Sequence, residues 1–157
     1  MNKKYLGMGP KLAFFNLPIL ILFGILDFFL YPISHFPFNP IYLYIIGIIL
    51  ISYGIIMYFS SVPRFVKAIK NSELITTGIY SHVRHPLYSG IILGIIPGII
   101  CFFNSWILLI FPACSYILFR ILIKEEEKDL IKEFGEKYIS YMNETNAMFP
   151  KFKKYRT

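Results

Sequence analysis

The chain has 157 residues, of which 56% are hydrophobic and only 16% are charged. The charged residues fall in three blocks, at 1–11, at 64–84 and from 120 onward, and Asp27 is the exception. A soluble helix or strand drawn from the apolar tracts between these blocks would have no polar face. The composition therefore argues against a water-soluble enzyme, a nucleic-acid-binding module and a disordered tail.

Four apolar stretches are long enough to be transmembrane helices, since crossing the hydrocarbon core takes about 20 residues. The first two are separated by 31–40, whose three prolines interrupt a helix. The last two meet at a short connection where Trp106 suits an interfacial anchor. The sequence predicts an all-α fold, a single membrane-embedded domain over 1–157 that ends in an amphipathic helix within 124–157. The predicted spans are 12–30, 41–60, 87–103 and 106–123.

The basic residues predict the orientation of these spans. Lysine and arginine occur before the first span, between the second and third, and after the fourth, whereas 31–40 and 103–105 contain none. By the positive-inside rule, both termini are expected in the cytoplasm. A cleavable signal peptide is not expected, because the apolar segment from Leu12 is too long and lacks a small-residue cleavage site. The net charge of +7 then indicates contact with anionic lipid, not with nucleic acid.

The loop between the second and third spans, 64–86, concentrates polar residues. A turn is predicted at Thr76-Thr77-Gly78, and Pro86 suits the first turn of a helix. Arg84 and His85 fit two interpretations, an interfacial anchor or part of a functional site. His82 and His85 have no partnering cysteine or second histidine pair, so we predict no metal site.

The tail has large residues at helical spacing, with steps of four, four and three. One helical turn before the first of these residues lie Glu126 and Glu127, so one or both glutamates should face the membrane domain. Lys128, Lys132 and Glu136 should point in other directions. A carboxylate in an apolar setting is costly unless a cation meets it. The alternative is a solvated charge run at the start of an amphipathic helix. The stripe consists of Leu130, Phe134, Tyr138 and Tyr141.

Smaller features of the spans have structural interpretations. Small residues every fourth position, at Gly90, Gly94 and Gly98, allow close helix packing, which we expect against the first or fourth helix. Asp27 is either a buried polar contact or an interfacial residue, and we favour the second. Cys101 and Cys114 are expected to be buried apolar residues with no disulfide.

Two motifs and their spacing resemble those of the isoprenylcysteine carboxyl methyltransferase family. The first is Gly-x-Tyr-x-x-x-Arg-His-Pro-x-Tyr-x-Gly from Gly78 to Gly90. The second, after a hydrophobic hairpin, is Glu-Glu-x-x-Leu-x-x-x-Phe-Gly-x-x-Tyr-x-x-Tyr from Glu126 to Tyr141. The related phospholipid N-methyltransferases share this arrangement. The resemblance implies an integral membrane enzyme that transfers a methyl group from S-adenosylmethionine, giving S-adenosylhomocysteine.

The resemblance also implies a cofactor site. Glu126 would balance the cationic ammonium and sulfonium, Tyr80 and Tyr88 would offer ring faces, and His85 would donate to the ribose or carboxylate. Methyl transfer to a ready nucleophile needs alignment more than acid-base help, so no catalytic residue is assigned. The implied cofactor-binding residues are Glu73, Leu74, Ile75, Tyr80, His85, Pro86, Leu87, Tyr88, Glu126 and Glu127.

One position of the second motif bears on the methyl acceptor. The carboxyl methyltransferases have an arginine four residues before the first glutamate of the pair, where this chain has Leu122. Arg84 and Arg120 are the predicted substrate-binding residues in its place. We expect a lipophilic acceptor in the membrane, a prenylcysteine-like carboxylate first and a phospholipid or other lipophilic amine or thiol as the alternative. A non-catalytic membrane protein of the same fold is the remaining interpretation, although the spans have almost no polar residues of the kind a carrier uses.

Overall fold

A computed structural model describes residues 7–155 of the chain. Over these residues the secondary structure is helical without strands, which confirms the all-α prediction. Single-turn 3-10 helices occur at Gly78–Ser81 and Leu108–Ile110, and residues Gly90–Ile95 form a π-helical segment. The helices are α1 Gly9–Phe29, α2 Ile41–Asn71, α3 Pro86–Cys101, α4 Phe111–Phe134 and α5 Glu136–Glu144.

Two of the helices in 7–155, α1 and α2, are long and apolar enough to cross a membrane. Only 6% of the apolar window of α1 and 22% of that of α2 are buried, so these are not the core helices of a soluble protein. The apolar helix α3 is shorter, and the second half of α4 is charged. The prediction of four membrane spans is therefore supported for the first two, and the third and fourth crossings stay predictions.

The helix α2 begins at Ile41, as predicted, but ends only at Asn71. Residues 64–71, predicted to belong to the loop, are therefore helical. The charge of 64–71 ends the apolar stretch but does not break a helix, because lysine and arginine have good helix propensity. The helix stops at Ser72, whose φ of 53° lies in the left-handed region.

The tail helix predicted from residue 124 is in fact two pieces. Residues 124–134 continue α4, which ends at Phe134, and α5 follows after Gly135. Gly135 has a φ of 57°, which glycine adopts without the strain that other residues incur. Tyr138 and Tyr141 on α5 are buried, so the predicted stripe does face inward there.

The glycines of α3 pack against α2. A Cβ on Gly54 of α2 would lie 2.6 Å from the Gly90 oxygen, and a Cβ on Gly98 would lie 2.8 Å from the Gly47 oxygen. The expectation that they face the first or fourth helix was wrong. The pattern on α3 indicates a close approach but not a partner, and α2 supplies matching glycines two turns apart.

At one end of the molecule the connections 31–40 and 103–105 lie together. The main-chain N–H of Trp106 donates to the Ser34 oxygen at 3.0 Å, and its indole N–H donates to the Ile33 oxygen at 3.1 Å. The buried Ser105 hydroxyl donates to Asp27 Oδ1 at 2.5 Å. Asp27 thus makes the polar contact that we favoured less.

The charged segments meet at the opposite end. Lys11, in the first turn of α1, forms a 2.7 Å ion pair with Glu125 of α4. The charged segments therefore lie on one side, as the predicted topology requires. The cytoplasmic location of this end stays a prediction. Lys3, Lys4 and Arg156, which contribute to the predicted orientation, lie outside the described residues.

Candidate functional site

A cavity of about 480 Å³ lies at the charged end, between α2, the loop after it, the start of α3 and the second half of α4. This volume is in the range of small-molecule sites. Nine of the ten residues predicted to bind a cofactor line this cavity, and Glu127 is the exception. The nine are Glu73, Leu74, Ile75, Tyr80, His85, Pro86, Leu87, Tyr88 and Glu126.

The loop is shaped by residues with special backbone geometry. Gly78 has a φ of 65°, and the guanidinium of Arg64 lies where any side chain on Gly78 would collide with it. The 3-10 turn that follows places Tyr80 at the cavity wall. Pro86 begins α3, as predicted, so its missing N–H leaves no donor unsatisfied.

The carboxylate of Glu126 is partly open to the cavity, with its side chain 23% exposed. Its Oε2 accepts a hydrogen bond from the Met8 N–H at 2.9 Å and another from the Tyr88 hydroxyl at 3.4 Å. Its Oε1 lies 3.7 Å from Nδ1 of His85. As the helical stripe predicts, Glu126 faces inward, whereas Lys128 and Lys132 are exposed.

Arg84 joins the loop to α4 and α5 through a partly buried ion pair and hydrogen bonds to main-chain oxygens. Its Nη2 and Nε lie 2.8 and 2.9 Å from Oε1 of Glu127, and the two side chains are 10% and 14% exposed. Its Nη1 donates to the main-chain oxygens of Met142 and Thr145. His85 Nε2 is 3.3 Å from the same Glu127 oxygen. The guanidinium of Arg84 is therefore committed to the protein, although it lines the cavity.

The protonation states of the site follow from burial and charge. Burial alone would raise the pKa of Glu127, but the hydrogen bond from His85 and the positive charge of Arg84 outweigh it and hold this pKa below the usual value. Burial, and then the charge of Glu126, raise the pKa of Tyr80. The Tyr80 hydroxyl is therefore neutral at physiological pH and is not available as an anionic base.

Two tyrosines of α5 complete the cavity wall. The Tyr141 hydroxyl donates to the main-chain oxygen of Tyr80 at 2.5 Å. The Tyr138 hydroxyl is buried and has no hydrogen-bond partner among the described residues. Buried hydroxyls are nearly always paired, so we expect an ordered water beside the Tyr138 hydroxyl.

The predicted substrate-binding residues are not brought together. Arg120 is exposed on α4 and is absent from the cavity lining in the described part of the chain, and Leu122 packs against the apolar core that contains Met8 and Phe119. Arg84 does line the cavity, but its guanidinium is in the ion pair with Glu127. The roles of Arg84 and Arg120 in substrate binding stay predictions.

Sequence reasoning missed the part of the cavity that α2 forms. Tyr58, Val62, Phe65 and Ile69 line it from one face of this helix. Their spacing of four, three and four is a helical signal. This signal did not lead to a prediction, because most of these residues fall at or beyond the end of the predicted span 41–60. Gly7 and Gly9, around the start of α1, also line the cavity.

The histidines of the loop have protein partners. His82 Nδ1 lies 2.6 Å from the main-chain oxygen of Lys151, and His85 lies between Glu126 and Glu127. Over residues 7–155, no group of three or more histidine, cysteine or acidic side chains is placed to hold a metal ion.

Comparison with known proteins agrees with the motifs. Residues 40–132, more than half of the chain, match the model of the isoprenylcysteine carboxyl methyltransferase family. The chain is 36% identical over 92 residues to protein-S-isoprenylcysteine O-methyltransferase of Saccharomyces cerevisiae, covering 57% of this chain and 38% of that one. It is 32% identical over 93 residues to cobalt-zinc-cadmium resistance protein CzcN of Cupriavidus metallidurans, covering 59% of this chain and 42% of that one.

A further relative is methanethiol S-methyltransferase of Crocosphaera subtropica, 34% identical over 79 residues, with coverage of 48% of this chain and 28% of that one. The chain therefore spans less than half the length of each of these three relatives. No solved structure matches it. The family match covers α2, the loop, α3 and α4 through both glutamates, which build most of the cavity. The chain belongs to the isoprenylcysteine carboxyl methyltransferase family.

Proposed function

We propose that the protein is a membrane methyltransferase that uses S-adenosylmethionine and acts on a lipophilic acceptor. The observation that carries the proposal is the carboxylate of Glu126, partly open to a cavity whose other walls are largely apolar and aromatic. S-adenosylmethionine combines two cationic centres with an adenine ring. Carboxylates and tyrosine faces are the protein groups that suit these parts.

The residues present fit this cofactor. In our proposal Glu126 binds the ammonium, and the rings of Tyr80 and Tyr88 contact the adenine or sulfonium. His85 contacts the ribose through Nδ1, because its Nε2 is paired with Glu127. When bound, S-adenosylmethionine supplies an electrophilic methyl group. The protein then has to align the acceptor and exclude water, which needs no general base.

We further propose that α3 and α4 complete a four-helix membrane domain with the cavity at the cytoplasmic face. The two uncharged connections meet at one end through Trp106, and the Lys11–Glu125 pair lies at the other. The exposed apolar surfaces of α1 and α2 suit contact with lipid.

The acceptor that we propose first is a prenylcysteine-like carboxylate, the group indicated by the name of the yeast relative. An amine or thiol is the second candidate, because one observation counts against a carboxylate acceptor. Among the described residues that line the cavity, Arg84 is the only arginine, and it is paired with Glu127. A carboxylate entering beside Glu126 would then have no arginine to meet it.

The cofactor site is tested by Glu126→Gln. We expect binding of S-adenosylmethionine in detergent to weaken at least tenfold, because a charge-assisted hydrogen bond is lost, while the unfolding temperature changes little. Glu125→Gln is the matched control. It neutralises the neighbouring glutamate, which is exposed, pairs with Lys11 and is not part of the cavity lining, so binding should be retained. Unchanged binding in Glu126→Gln would contradict the proposed site.

The acceptor is tested by incubating membranes that contain the protein with methyl-labelled S-adenosylmethionine and either a prenylcysteine analogue or bulk lipid. Base treatment then separates the products. Label released as methanol identifies a methyl ester and supports the carboxylate acceptor. Label that stays non-volatile after base identifies a methyl group on nitrogen or sulfur. No label in either sample despite cofactor binding would leave a thiol that neither sample contains to be tested.

A further inference from the structure

The last described residues, 149–155, fold back over the loop that borders the cavity, and we call them the return segment. The N–H of Lys151 donates to the His82 oxygen at 2.9 Å, and the ring of His82 is 2.6 Å from the Lys151 oxygen. The N–H of Tyr155 donates to the Ser81 oxygen at 2.9 Å. The return segment is thus hydrogen-bonded to the loop at Lys151 and at Tyr155.

The return segment begins at the surface of α4. The ring of Phe149 lies 5.8 Å from that of Tyr116, within the predicted span 106–123, and Phe149 is 51% exposed. The two residues before it, Ala147 and Met148, are buried in the core formed with Phe119. In the proposed membrane arrangement, this contact places Phe149 beside the lipid.

The outer side of the return segment is basic and aromatic. Phe152 is fully exposed, and Lys153 and Lys154 follow it. These three side chains, with Glu144 and Tyr155, line an open surface depression of about 720 Å³. Exposed phenylalanine next to lysines at a membrane face is typical of segments that bind anionic lipid, since the ring enters the interface and the lysines meet phosphate.

We propose that the return segment is a binding site for the headgroups of anionic phospholipids. Lipid suits this site better than a soluble anion because Phe149 and Phe152 would be buried only against a membrane. The site adjoins Ser81 and His82 and therefore lies close to the loop that carries Arg84. The proposal rests on the proposed membrane arrangement and not on methyl transfer.

The test uses the full chain in nanodiscs. In a Trp106→Phe, Phe152→Trp variant the reporter sits in the return segment, and its fluorescence is compared in lipid containing brominated phosphatidylglycerol or brominated phosphatidylcholine at equal mole fraction. We expect stronger quenching by phosphatidylglycerol. Lys153→Gln and Lys154→Gln should each reduce this preference about fivefold, the effect of one lysine near an anionic surface.

Two controls make the outcome decisive. Lys128→Gln removes the same single charge from an exposed position of α4 and should keep the preference. The natural chain, with its single tryptophan Trp106 at the opposite end, should be quenched by brominated phosphatidylcholine if the chain is inserted. Absence of that quenching overturns the membrane arrangement. Quenching there, with equal quenching of the Phe152→Trp reporter by both lipids, overturns the lipid site alone.

Discussion

Replacing Gly54 by alanine tests the contact between α2 and α3. The added Cβ would stand 2.6 Å from the Gly90 oxygen and 2.7 Å from the Ile95 nitrogen, whereas ordinary contact begins at 3.4 Å. Both obstructing atoms belong to backbone, so no side-chain rotation can relieve the clash. The two helices must separate by about 0.8 Å, the shortfall at the Gly90 oxygen.

A gap of this size forfeits roughly a quarter to a half of each dispersion contact across the affected surface. Overpacking of this kind costs about 1–3 kcal/mol, and we take about 3 because backbone is obstructed on both sides. Alanine returns up to about 1 kcal/mol of helix propensity. The net loss of about 2 kcal/mol corresponds to a fall in Tm of about 4–8 °C for a chain of this size.

The matched control is Gly24→Ala on α1, where a Cβ would meet nothing within 4 Å among the described residues. This variant has only the propensity gain, so its Tm should stay level or rise by a few degrees. Thermal unfolding of both variants in the same detergent measures the difference. Equal melting temperatures, or a change of the same sign in both, would refute the close-packing argument.

Two other predictions concern the site. The pKa of Glu127 is lower in the folded protein than in the unfolded chain, so its contribution to stability is complete above the ordinary value of 4.5 and is lost as the pH falls through the folded pKa. Thermal unfolding between pH 3 and 7 should show a smaller loss on acidification in Glu127→Gln, whose stability at pH 7 is also lower. An equally steep acid loss in that variant would contradict the role of the Arg84 pair. Tyr138→Phe removes a hydroxyl with no described partner, so unfolding without ligand should show unchanged or higher stability. Tyr141→Phe deprives the Tyr80 oxygen of its donor and should lower stability by about 1–2 kcal/mol, and equal losses in the two variants would count against this distinction.

The sequence was informative about the fold wherever a signal depends on composition or on one residue. The start of α2 at Ile41 and of α3 at Pro86 follow from apolar content and from proline at the first helical position. Helix ends that depend on backbone conformation were missed, at Ser72 and at Gly135. The partner of the α3 glycines was also missed, because a small-residue pattern fixes how near a neighbour comes but not which neighbour it is.

The same division holds for the site. The motif resemblance led to nine residues that do line the cavity, and helical spacing correctly turned Glu126 inward. The sequence could not distinguish an arginine that faces a ligand from one that binds other protein groups. The guanidinium of Arg84 is paired with Glu127 and donates to two main-chain oxygens. That distinction depends on where α5 returns, a long-range contact with no local signature.

Three consecutive glutamates of α4 have three different neighbours. Glu125 pairs with Lys11 of α1, Glu126 opens to the cavity, and Glu127 pairs with Arg84 of the loop. Successive residues of an α-helix point about 100° apart, so the side chains of a single turn contact three separate parts of the molecule. The rotation of α4 about its axis therefore determines three contacts at once, those with the N-terminal helix, with the cavity and with the loop. Inserting or deleting one residue upstream in α4 would keep all three charges and yet exchange their neighbours, so the helical phase of this segment is constrained as strictly as its composition.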